Sequence, residues 1–80
     1  LVSQYQGGFM DFCGKLLMLR KERGLSQEAV AKHLDITLRQ YFRFEKGEQK
    51  PGFDNLRKIA VFYDVSTDWL FGRTEKRTLP

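Results

Sequence analysis

The sequence predicts an all-α fold, a compact bundle of five short helices. Three observations lead there. Apolar residues recur at spacings of three, four and seven; four of the five runs open on an Asp, Ser or Thr able to cap a helix; and no segment alternates apolar and polar residues as a strand would. No internal repeat or low-complexity tract interrupts the pattern.

The elements follow in order. Asp11 caps a first helix whose Phe12, Leu16 and Leu19 share one face, and the basic run Arg20-Lys21-Glu22-Arg23 before Gly24 suits a helix end. Ser26 caps a second helix running to about Leu34, with Val30, Ala31 and Leu34 inward. Asp35 and Ile36 alone separate it from Thr37, and Thr37-Leu38-Arg39-Gln40 fits a capping box opening a third helix that closes at Glu45-Lys46-Gly47. A polar loop with Pro51 leads to a fourth helix over roughly Phe53 to Tyr63. Ser66 caps a short fifth through Phe71, stopped by Gly72.

Composition narrows the function. Eighty residues, 41% hydrophobic and 30% charged with a net charge of +4, describe one small soluble domain without room for a deep substrate cavity. One cysteine, Cys13, and one histidine, His33, exclude an internal disulfide framework and a Cys/His zinc site, so no metal or cofactor is expected. Without a long apolar run or a leader pattern, the chain reads as cytoplasmic, with no membrane partner. Residues 1–10 read as a loose arm or a non-native remnant, 11–72 as the folded domain and 73–80 as a basic, unpatterned tail. An enzyme, and with it a small-molecule substrate, fails on inventory: there is no Ser/His/Asp set and no glycine-rich phosphate loop, and the acidic residues scatter over separate helices.

At 100° per residue, the third helix has two unlike sides. Tyr41 and Phe44 fall on one; Leu38, Phe42, Arg39 and Arg43 fall on the other. A short helix, a tight turn and a second helix with donors on its free face form a helix-turn-helix, the geometry that enters a major groove. Arginine suits that place because its fork matches guanine O6 and N7 together.

The run Gly24-Leu25-Ser26-Gln27-Glu28-Ala29-Val30-Ala31, then Asp35-Ile36-Thr37, Phe44-Glu45-Lys46-Gly47 and Pro51, resembles the Cro/phage-repressor type of helix-turn-helix domain. Tyr63-Asp64-Val65-Ser66-Thr67-Asp68-Trp69-Leu70 is similar to that family's last two helices, so the resemblance covers about Phe12 to Gly72. It implies a lambda-repressor-like DNA-binding fold and a set of roles. Thr37, Leu38, Arg39, Phe42 and Arg43 match base-reading positions; Gln27, Gln40, Lys46 and Lys50 match phosphate-binding ones; Arg20 and Glu45 match a structural ion pair. The expected partner is a near-palindromic double-stranded operator bound by a homodimer, and the expected function is transcriptional regulation of the repressor kind. The chain departs from the family pattern at Asp35, where Gly is usual, and at Leu38 and Phe42, which replace small polar residues.

Other readings of the same residues stand beside these. Leu38 with Phe42 also fits a protein-binding patch, which would make the chain an antitoxin-like or coactivator-like interaction module. Arg39 and Arg43 fit solvated surface charge, and Lys46 and Lys50 an ordinary polar loop. Trp69 and Phe71 either complete the core or form a dimer seam, with at least one facing outward.

Overall fold

The computed structural model describes residues 11–78. Five α-helices follow one another: α1 (Phe12–Glu22), α2 (Gln27–Leu34), α3 (Leu38–Lys46), α4 (Phe53–Tyr63) and α5 (Thr67–Phe71). No strand occurs among the described residues, as the sequence predicts. The arm expected over residues 1–10 lies outside them.

The helix starts obey local chemistry. Asp11, Ser26, Thr37 and Ser66 each accept a backbone N–H of the first turn, at 2.9, 3.0 and 3.0 Å for the first three. Each bond satisfies a donor that the helix itself leaves unpaired. Only the Thr37 half of the expected capping box forms. α4 starts at Gly52 without a side-chain cap. Two helices end on left-handed aspartates instead of glycine, α2 at Asp35 (φ 57°) and α4 at Asp64 (φ 56°).

α3 supplies the middle of the core. Tyr41 and Phe44 are buried, in one cluster with Leu16 and Leu19 of α1, Val30 and Leu34 of α2, and Ile59 and Tyr63 of α4. Each such side chain contributes about 1.5–3 kcal/mol of burial. The hydroxyls of Tyr41 and Tyr63 meet at 3.4 Å inside this cluster, and burial pushes both above the ordinary phenol value, Tyr41 strongly. The two aromatics that make the inner side of α3 therefore fix which side faces out.

At the other end of the bundle, Trp69 is buried and Lys15 lies beside it, itself buried. The Lys15 ammonium donates to the Trp69 carbonyl and sits 4.7 Å from the indole centroid, which satisfies a cation that burial alone would disfavour. The tail, unpatterned in sequence, is seated here as well. The Ser66 N–H donates to the Arg77 carbonyl at 2.8 Å, and the Arg77 guanidinium pairs with Glu22 and lies 5.4 Å from the Trp69 ring. The Arg73 N–H donates to Asp68 O at 2.8 Å and Arg77 holds the segment further on, so no periodicity announces it, and the partner of Glu22 lies far along the chain.

Candidate nucleic-acid interface

The α2–α3 turn is three residues long, and each has a task. Asp35 takes the left-handed conformation that turns the chain, its N–H bonded to Lys32 O at 3.2 Å. Aspartate tolerates this region better than most side chains because of its short polar group. Ile36 donates its N–H to Ala31 O at 3.0 Å and packs its side chain on the core. Thr37 caps α3. With both ends of the turn bonded and its middle residue packed on the core, α3 is held against α2.

The angular division of α3 appears in the burial. Tyr41 and Phe44 are inside, whereas Leu38 is 46% and Phe42 40% exposed. Arg39 is exposed and Arg43 half-buried; Thr37, Lys46 and Lys50 are exposed and Gln40 half-buried. The free side of α3 thus carries two stripes at i, i+4 spacing: Leu38, Phe42 and Lys46, and beside them Arg39 and Arg43. The Lys46 ammonium lies 5.2 Å from the centroid of the Phe42 ring. That contact was missed in the sequence, although the i, i+4 spacing of an aromatic and a lysine was its available signal.

Behind this face, Arg20 and Glu45 join α1 to α3. Arg20 Nε and Nη2 donate to the two Glu45 carboxylate oxygens at 2.9 and 2.8 Å, and Nη1 donates to Leu25 O at 3.0 Å. The two side chains are only 16% and 6% exposed, so water screens the pair far less than a surface bridge. Burial pushes the Glu45 carboxyl up, but hydrogen bonds from Arg20 and Gln27 and the Arg20 charge outweigh it and hold it below the ordinary carboxylate value. Gln27, the first residue of α2, donates Nε2–H to Glu45 Oε1 at 3.2 Å. Its amide is turned partly inward, leaving one amide hydrogen and the backbone N–H at the helix start for an outside anion.

The pair at the end of the chain separates. Trp69 completes the core and is not available as an apolar seam, while Phe71 is 62% exposed. A five-residue helix gives two residues two apart opposite sides, and the larger ring took the inner one. His33 stacks on Phe62, ring centroids 5.1 Å apart. No group of three or more His, Cys, Asp or Glu side chains among the described residues is placed to hold a metal ion. No helix among them is long and apolar enough to cross a membrane.

The helix-turn-helix family model matches residues 16–70. A regulator from Bacillus subtilis (strain 168), named as an uncharacterized HTH-type transcriptional regulator YobD, is 36% identical over 64 residues, covering 80% of this chain and 57% of its own. The cryptic phage CTXphi transcriptional repressor RstR of Vibrio cholerae is 41% identical over 54 residues, covering 68% and 49%. The crystal structure of a transcriptional regulator from Listeria innocua superposes with a TM-score of 0.73 at 32% identity, over 78% of this chain and 58% of that one. The chain spans about half the length of these relatives. Five helices in this order, a three-residue turn pinned at both ends and these similarities converge: the chain belongs to the helix-turn-helix family of the Cro/phage-repressor type.

Proposed function

We propose that the protein binds double-stranded DNA sequence-specifically, as a transcriptional regulator of the repressor kind. One observation carries the reading: the free side of α3, presented by a turn bonded at both ends, is cationic and partly apolar while its opposite side is wholly committed to the core. Residues 37–47 hold Arg39, Arg43 and Lys46 against Glu45 alone, half of the chain's net charge of +4, and Glu45 is already paired with Arg20. In the major groove, Arg39 and Arg43 present forked donors to guanine edges, Thr37 opens the helix beside them, and Leu38 meets a thymine methyl. Phe42 shares that face. Gln27, Gln40, Lys46 and Lys50 hold phosphates, which fixes register without reading sequence. The repressor named among the relatives supports the regulatory role.

A module of this size reads a short half-site, so useful specificity calls for a two-fold homodimer on a near-palindromic operator, with half-sites about 34 Å apart. The exposed Phe71 ring supplies apolar surface for its seam. Selection from a random duplex pool, followed by binding against salt, tests all of this. A symmetric motif and an affinity falling steeply with salt are expected. The exposure of Leu38 and Phe42 favours one rival, a protein-interaction module of the same fold; failure to enrich any motif, with a salt-insensitive protein complex formed through those residues, would establish it instead.

A further inference from the structure

We infer that Phe42 is a positioning residue: its ring holds the Lys46 ammonium in place at the end of α3 for a phosphate, and does not itself read a base. The inference rests on the proposed DNA binding. Four observations carry it. The Lys46 Nζ sits 5.2 Å from the Phe42 centroid, within the range in which a cation is drawn to an aromatic face. No carboxylate lies within ion-pair distance of Lys46 among the described residues, and the adjacent Glu45 is taken by Arg20. The end of α3 is fixed, with the Glu48 N–H bonded to Arg43 O at 2.9 Å and Gly47 in the left-handed conformation, so the lysine stem starts from a defined point. Finally, Phe42 is 40% exposed on the free side of the helix and outside the buried core, so the fold does not account for its size.

A free lysine is a flexible point charge that loses rotamer freedom when it captures an anion. Resting on a ring one turn back, Lys46 has surrendered part of that freedom before the phosphate arrives, and preorganisation of this kind raises affinity without a new contact. The same contact engages one face of the ring with a cation in place of a base. Phe42 therefore adds affinity on every sequence, and the base reading stays with Arg39, Arg43 and Leu38.

The test is a double-mutant cycle on the full chain, with a duplex recovered by selection and a scrambled duplex of equal length. Phe42→Leu, which keeps apolar bulk and loses the ring, is expected to weaken both duplexes alike by about two- to five-fold. Phe42→Tyr should bind like the unaltered chain, and Phe42→Leu should cost nothing further in a Lys46→Met background. In the free protein, the Lys46 ε-methylene proton resonances should lie upfield and return to ordinary values in Phe42→Leu. A loss confined to the selected duplex, a loss that persists without Lys46, or unshifted lysine resonances would overturn the positioning role while leaving DNA binding intact. An unaltered chain that binds neither duplex overturns DNA binding and the role with it.

Discussion

Arg39 and Lys50 carry the same charge and are expected to fail differently when removed. Arg39→Ala should cost about 1–3 kcal/mol at one base pair and relax specificity there, measured by competition among operator variants. Equal losses on operator and scrambled duplex would remove it from the reading set. Lys50→Ala should weaken all duplexes alike and lower the salt slope by about one. The sidedness of α3 was legible at this scale because helical spacing alone places Tyr41 and Phe44 opposite Arg39 and Arg43. The rotamer-level facts were not. The inward turn of the Gln27 amide, the Lys46–Phe42 contact and the Glu22–Arg77 pair depend on side-chain torsions or on partners remote in sequence, which no local pattern encodes.

Among the elements, the α2–α3 turn is where sequence and geometry pull against each other. Asp35 occupies a left-handed conformation (φ 57°) that costs an L-residue energy and costs glycine none. Asp35→Gly is therefore expected to raise stability by about 0.5–1 kcal/mol in urea denaturation; a loss would show that the aspartate side chain supports the turn. Thr37→Ala removes the bond to the Gln40 N–H and should cost about 1 kcal/mol. The helices themselves were readable because their caps are local: Asp11, Ser26, Thr37 and Ser66 each bond within three residues. The tail was not, since it is seated by a backbone bond to Ser66 and by a side-chain pair with Glu22 of α1, neither of which a local pattern encodes.

For the molecule as a whole, the Arg20–Glu45 pair makes stability fall in acid. Its carboxyl lies below the ordinary value in the folded state, so its contribution is complete above the unfolded value of about 4.5 and is lost as pH falls through the folded one. The melting temperature is expected to drop below about pH 4.5, and less steeply in Glu45→Gln than in the unaltered chain. At pH 7, Glu45→Ala should cost about 2–3 kcal/mol, because it leaves the guanidinium largely buried without its partner. Thermal melts followed by circular dichroism from pH 7 to 3 check both. This pair was legible only through family resemblance; nothing in the spacing of residues 20 and 45 joins them.

The seating of Trp69 has an optical consequence. It is the chain's single tryptophan, buried against α1 with Lys15 and Arg77 at its ring, and it is not on the free side of α3. Its emission is thus a gauge of the seam between the first helix, the last helix and the tail. Release of Arg77 would remove one cation from the ring and is expected to shift that emission while the helical signal stays intact. Ultraviolet excitation of this one chromophore can therefore time the loosening of the tail separately from the collapse of the bundle, with no label attached.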